Sequence, residues 1–365
     1  MTNEPALQAL IARVNAARAS GTPLAIEGGG TNRFYGEAPV GELLDTRALE
    51  GISSYEPTEL VVTARCGTAL AKLEATLAEE GQCLPFEPPQ FAPGGTVGGM
   101  VAAGLSGPSR AAVGAVRDYV LGATLLTGRG EVLSFGGQVM KNVAGYDISR
   151  LLAGSMGTLG VILEVSLKVL PVAPATATLR FSMSEADALR RLAEWGGQPL
   201  PLNASAWWDG TLVLRLRGAL AAVNAAITRL GGELIEPGHA TPFWHGLRHH
   251  EDEFFTKAVA AVEGGARLWR LSVPPTTPPL ALPGEQLIEW GGALRWLAAG
   301  DRADPQKVRA WAAAQGGHAT QFRAERKERD VFHPLDATMA ALHGRLKSVF
   351  DPHGILNPDR LLPGR

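Results

Sequence analysis

The sequence predicts an α+β fold in two units, and three observations carry that prediction. Short strand and helix patterns in the first half are broken by three glycine-rich segments. A long apolar strand then ends at Pro171 and Pro174, and beyond it the element order becomes βαββαβ, a sheet covered on one face by two helices. The length of 365 residues agrees, since a domain usually holds roughly 100 to 200 residues.

The elements follow in order. After Asn3, a cap-type residue, Leu7, Leu10, Ile11 and Val14 recur at helical spacing and Gly21 closes the helix. Pro23 to Glu27 reads as a short strand and Leu60 to Arg65 as another. Thr68 is placed to cap a helix with Leu70, Leu73 and Leu77 on one face and Gly81 at its end. Pro85 to Pro108 reads as a loop, too long for a simple connection and so expected to have a function. Tyr119 to Thr127, the Gly128-Arg129-Gly130 turn and Glu131 to Phe135 form a hairpin, and Leu159 to Leu170 a buried strand.

In the second unit Thr178 to Met183 is a strand and Ser184 opens a helix. Strands Ala204 to Trp208 and Thr211 to Leu216 meet at an Asp209-Gly210 turn. A helix from Leu220 to Leu230 and a strand from Glu233 to Glu236 complete the ferredoxin-like unit. The remainder has a helix carrying Phe243, Trp244 and Phe254, strands near Leu268 to Val273 and Gln286 to Trp290, and a helix from Pro305 to Gln315. It reads as a degenerate second copy of the same unit.

Composition excludes several classes. A formal charge of −2 with no basic stripe argues against nucleic acid. No apolar run approaches the ~20 residues that cross a bilayer, so no direct membrane insertion is expected. Met1 to Ser20 lacks the pattern of a secretory signal, which leaves the cytoplasm as the expected compartment. Cys66 and Cys83 are too few and too far apart for a metal or iron–sulfur site, and read as idle thiols.

The chemistry is expected in the glycine-rich segments. Gly28-Gly29-Gly30-Thr31-Asn32 follows a strand. Pro93-Gly94-Gly95-Thr96-Val97-Gly98-Gly99 opens a small-residue stretch through Ala103 and Gly107, and Gly154-Ser155-Met156-Gly157-Thr158-Leu159-Gly160-Val161-Ile162 leads into a strand. Main-chain N–H groups approach a pyrophosphate closely only where Cβ atoms are missing and positive φ is allowed. Taken singly, each segment reads equally as a flexible turn or a bulge. No GxxxxGK[ST] is present and no GxGxxG opens a helix after a strand, so neither a P-loop nor a Rossmann site is expected.

Together and in this order the segments resemble the FAD-binding lobe of the vanillyl-alcohol oxidase type, the PCMH fold, over roughly residues 1–172. The resemblance implies that Gly28 to Asn32 and Pro93 to Gly99 grip the pyrophosphate and adenosine side, while Gly154 to Ile162 runs along the flavin. Lys141-Asn142-Val143-Ala144-Gly145-Tyr146-Asp147 resembles the stretch before the third motif in glycolate- and lactate-oxidising members. Relatives that tether flavin do so through histidine or cysteine near these loops. Thr31 to Gly36 and the second loop offer neither, so non-covalent FAD is expected.

In the second half, Leu268-Trp269-Arg270, Pro283 to Trp296 and Gly316-Gly317-His318-Ala319-Thr320 resemble the E-subunit family of bacterial glycolate oxidases (glycolate dehydrogenases). Phe350-Asp351-Pro352-His353-Gly354-Ile355-Leu356-Asn357-Pro358 resembles that family's tail, which returns to the flavin lobe. The resemblance implies a PCMH-type FAD-binding domain at 1–172, a ferredoxin-like cap or substrate domain at 173–345 and a returning tail at 346–365. It also implies a small 2-hydroxy acid substrate and, as partners, a paralogous FAD subunit and an iron–sulfur subunit, through which the chain would reach a membrane.

Oxidising a 2-hydroxy acid needs a cation for the carboxylate and a base for the hydroxyl proton. Arg270 or Arg295 is the candidate clamp and His318 the candidate base; tryptophan stacking and turn capping are their plainer readings. The HxGDGNxH-like segment of metal-using relatives has no counterpart. The His245, His249, His250 cluster, followed by Glu251 and Asp252, reads as solvated helix surface rather than a metal site, so no metal is expected. The absent segment keeps a second reading open, a subunit that binds FAD and relays electrons while its paralogue does the chemistry.

Overall fold

The computed structural model describes residues 4–137, 147–300, 303–327 and 330–362. Asn3 and the stretch Lys141 to Tyr146, both singled out above, lie outside the described residues.

The first helix, Pro5–Ser20, exists because Leu7, Leu10, Val14 and Ala17 fall on one buried face, and Gly21 at φ 70° ends it. It packs on a five-stranded antiparallel sheet in the order Ile52–Glu56, Val61–Arg65, Val161–Lys168, Val120–Leu126 and Val132–Gly136. Every residue of Val120–Leu126 is buried, which explains why apolar residues dominate it. A separate parallel pair, Leu24–Glu27 with Glu42–Asp45, is extended by a parallel bridge from Leu24 to Leu356 of the tail.

Two local expectations change. The hydroxyl of Thr68 does not cap the helix Leu70–Glu79; it accepts from the N–H of Gly51 (2.9 Å) and donates to its carbonyl (3.0 Å), tying two loops together. The expected loop Pro85 to Pro108 contains a helix, Val97–Ala103, whose first turn is capped by Thr96 Oγ1 accepting from Gly99 N–H. Glycines weaken a helix by roughly 1 kcal/mol each relative to alanine, so the pattern concealed it. Here the helix is secured by burial of Val97, Met100 and Val101 against the sheet.

The second unit is one eight-stranded sheet. Ala175–Ser182, Leu202–Trp208, Thr211–Gly218 and Glu233–Ile235 lie in the spatial order 4-1-3-2, as the βαββαβ pattern requires. Arg267–Ser272, Glu285–Glu289, Leu294–Ala299 and His318–Ala324 repeat that order in reverse, and the two sets join where Leu202–Trp208 pairs antiparallel with Glu285–Glu289. The first crossover helix is missing from the second set. Pro274, Pro275, Pro278, Pro279 and Pro283 occupy that crossover, and proline removes the amides a helix would need.

One face of this sheet, with Leu268, Trp296 and Phe322, packs against Tyr35, Ala103, Leu105 and Met156 of the first unit. The histidine cluster sits at this seam, which corrects its reading as helix surface. The helix Pro237–His249 ends with His250 at φ 60°, turning that ring inward to stack on Phe255 (centroids 3.6 Å, 2°). His249 is buried and its Nδ1 accepts from the N–H of Gln90 (3.0 Å); only His245 stays exposed.

Burial, helped by Arg248 and His245, pushes His249 down to about 4, so it is neutral in the folded chain but takes a proton near 6.5 when unfolded. The stability it contributes is therefore complete above pH 6.5 and lost as pH falls toward 4. Relative to His249→Asn, the native chain should lose roughly 2 kcal/mol between pH 7 and pH 4.5, measured by urea unfolding at both values. An unchanged difference would show that His249 is protonated in the folded state.

Candidate functional site

Strand Leu24–Glu27 delivers Gly28 to Asn32 to the edge of a cleft. The capped helix Val97–Ala103 faces them, and Gly157, Gly160 and Ile162 close the far side. Two contiguous cavities of about 90 and 60 Å³ result, sharing Ile26, Gly28, Gly99, Ala102, Met156 and Asn357. All three glycine segments thus meet at one place.

The first two segments touch backbone to backbone. A Cβ on Gly29 would lie 1.7 Å from the carbonyl oxygen of Gly94, and one on Gly28 2.2 Å from Thr96 Oγ1. Only glycine permits that approach. Among the described residues no protein acceptor takes the amides of Gly28, Gly29, Gly30, Thr31, Gly94 or Gly95, so a cluster of donors is left for an anion. Gly98 meets Cys66 instead: its Cβ would be 2.6 Å from Cys66 Cβ, and burial pushes that thiol up to about 12, consistent with an inert packing role.

The third segment is a wall between two spaces. Gly157, Gly160 and Ile162 face the cradle, whereas Gly154, Ser155 and Thr158 line a cavity of about 360 Å³ against the helix Ala337–Phe350. Val161 lines neither, being fully buried in the sheet. Pro93 is exposed and outside both cavities. Ala103 lines the cradle, while Gly107 does not; its carbonyl accepts from Trp290 Nε1 (3.0 Å) and fastens the two units.

Sequence reading missed Asn357 as a site residue. Its Oδ1 accepts from the N–H of Ile26 (2.7 Å) and its Nδ2 donates to the carbonyl of Met156 (2.6 Å), so one buried amide clamps the first and third segments. Those partners are 331 and 201 residues away in the chain, beyond any local pattern. The tail is held in turn by the buried carboxylate of Asp351, which accepts from Ile355 and Leu356 N–H, and by Lys347, which donates to Asp351 and to the Thr158 carbonyl.

The donor set fits a dinucleotide. Arg360 lines the cradle, anchors one nitrogen on the carbonyls of Asn32 and Arg33, and has its other terminal nitrogen buried without a partner. Burial pulls Arg360 down to about 10 and Lys327, beside it, down to about 7, as expected for cations lacking a full counter-charge. Asn32 Oδ1, in the same lining, is also buried and unpartnered. Two anionic phosphates with hydroxyl-bearing neighbours would satisfy such a set; an apolar ligand would not.

Residues 6–136 match the model of a FAD binding domain family. Over 354 residues, 97% of this chain and 97% of the other, the sequence is 46% identical to "Glycolate oxidase subunit GlcE" of Escherichia coli (strain K12). The chain belongs to the GlcE family of glycolate oxidase subunits. It is also 30% identical to "Glycolate oxidase subunit GlcD" of Bacillus subtilis (strain 168), over 46% of this chain and 36% of that one. Its fold is that of alkyldihydroxyacetonephosphate synthase, with a TM-score of 0.66 at 14% identity, covering 96% of this chain and 74% of that one. The GlcE-family chain is therefore an FAD-binding protein of the PCMH type with a ferredoxin-like second part.

The candidate catalytic residues of this GlcE-family member separate. In the sheet Arg270 pairs with Trp296 and Thr320, and Ser272 pairs with His318. Side chains alternate faces along a strand, so Arg270 and His318 share the face turned toward the first unit. Arg295 pairs with Leu271 and points the other way. It is fully buried, donates to the carbonyls of Gly292 (2.8 Å) and Thr277 (2.8 Å), and lies 3.5 Å from Glu185. Arg295 holds the proline-rich crossover and is no substrate clamp, which corrects that expectation. His318 is exposed at the start of its strand; partial desolvation, with Arg270 and His333, lowers its pKa, so it is neutral near pH 7 and able to accept a proton.

Proposed function

We propose that this chain is the FAD-carrying subunit of a glycolate-type 2-hydroxy-acid dehydrogenase complex. The observation that supports it most is the full-length likeness to a glycolate oxidase subunit in a chain whose three glycine-rich segments meet at one cleft, the first two leaving a set of free amides. Bound FAD supplies a two-electron acceptor for the hydride equivalent lost from the substrate's α-carbon, giving the 2-oxo acid.

The protein's part is to bind and orient. Amides of Gly28 to Thr31, Gly94 and Gly95, with Arg360, hold the diphosphate; Asn357 fixes the spacing of the two walls. Arg270 orients the substrate carboxylate and His318 takes the hydroxyl proton. Electrons leave through other subunits, a paralogous FAD subunit and an iron–sulfur subunit, since Cys66 and Cys83 hold no cluster. Among the described residues no helix is long and apolar enough to cross a membrane, so any membrane contact would run through those partners.

A relay subunit, FAD-bound but without substrate turnover, is the second reading, favoured by the missing HxGDGNxH-like segment. Anaerobic glycolate added to the purified, FAD-loaded chain separates the two. Stoichiometric bleaching of the flavin absorbance is the expected result. A yellow protein that stays yellow with glycolate, yet bleaches when its partner subunits are added, would establish the relay.

A further inference from the structure

The face of the sheet turned toward the cradle carries a second cationic arrangement. Trp290 closes a strand at φ 54°, with Gly291 and Gly292 also at positive φ; a bulky residue held there marks a turn built for its side chain. Its indole N–H is spent on the Gly107 carbonyl, and its ring packs in the same apolar cluster as Ala103 and Met156, which line the cradle. Two guanidiniums meet that ring: Arg110, from the first unit, at 4.7 Å from the centroid, and Arg270, from the second, at 5.1 Å.

Among the described residues neither guanidinium has a carboxylate within ion-pair distance or an acceptor for its side-chain N–H groups. Each is only half-buried, so both keep N–H groups open to a ligand. The nearby carboxyl, Glu289, is committed to Trp296 Nε1 (2.8 Å), and burial pushes it up to about 8, leaving it largely protonated at neutral pH. Two like charges drawn to one indole and left uncompensated repel each other, and a small anion held by both relieves that repulsion.

We propose that Arg110 and Arg270, one from each unit, form a two-armed clamp for the carboxylate of a small organic acid, with Trp290 setting their separation. The clamp rests on the reading of this chain as a 2-hydroxy-acid dehydrogenase subunit and adds Arg110, which no sequence pattern marked. It also makes carboxylate binding depend on the two units being docked.

Oxalate, a carboxylate with no α-hydrogen to lose, tests it without turnover. Titration of the full chain, followed by tryptophan fluorescence and by the flavin absorbance bands, should give saturable binding to the native protein. Arg110→Gln and Arg270→Gln should each weaken it roughly 10- to 100-fold, and Arg110→Lys less, with FAD content unchanged. Arg110→Gln that is folded, yellow and binds oxalate within twofold of native overturns the clamp. So does native, yellow protein that binds no oxalate, an outcome that leaves the FAD assignment intact. Colourless native protein that still binds oxalate through Arg110 and Arg270 would uphold the clamp while sinking the flavin reading. Should Arg110→Gln fail to fold, Arg110→Lys carries the test: a charge-retaining variant with native affinity for oxalate overturns the two-armed geometry, and a weakened one upholds it.

Discussion

Gly95→Leu is expected to give a folded chain that purifies without yellow colour. A Cβ at Gly95 would meet only Thr31 Oγ1, at an ordinary 3.4 Å, so the fold has room for its first atom. The rest of a leucine must then find room beside Thr31, which lines the cradle. Denaturation midpoints near native with FAD stoichiometry near zero is the expected pair of results; retained stoichiometric FAD would contradict the cradle. Gly157→Leu makes a useful contrast. That residue sits at φ 72° and its Cβ would lie 2.7 Å from Asn357 Nδ2, so the substitution should dislodge the tail and cost stability as well as colour.

Glu87→Ala should be the most damaging single change to the joint between the two units. Glu87 stands in the loop before the capped helix, and its carboxylate receives Arg215 at 2.7 and 2.8 Å, Arg217 at 3.2 Å and the N–H of Ser109 at 3.0 Å. Burial by itself would push this carboxyl up, yet the two arginines outweigh it and hold it below its usual range. The Arg215 side chain is only 4% exposed, so removing its partner strands a buried cation. Breaking such a pair costs about 3 to 5 kcal/mol, a large share of the 5 to 15 kcal/mol by which a domain is stable. Urea unfolding should show that loss for Glu87→Ala and a smaller one for Glu87→Gln; a difference below about 0.5 kcal/mol would mean the pair is solvated.

Both predictions join residues whose relationship is invisible along the chain. What was legible was local. Leu7, Leu10 and Val14 give their helix by spacing alone, and Asp209-Gly210 between two β-branched and aromatic runs gives its hairpin. The three glycine segments stood out because absent side chains are a chemical statement in themselves. The helix Val97–Ala103 was hidden, since its stability comes from burial rather than propensity. Arg295 was misjudged because adjacent residues on a strand face opposite ways, and only the register with Leu271 and Trp296 tells which face is which.

By itself, then, the sequence marked many of the helices and strands, among them the first βαββαβ set, and the three glycine-rich stretches in which an anion-binding backbone was expected. Those follow from spacing, turn chemistry and side-chain volume, all properties of neighbouring residues. The tertiary structure alone decided that the glycine segments meet, that Asn357 locks them from the far end of the chain, that His249 and His250 turn inward and that Arg110 and Arg270 share one indole. Such facts depend on contacts between residues hundreds of positions apart, where packing of the two units, and not local preference, chooses the neighbour.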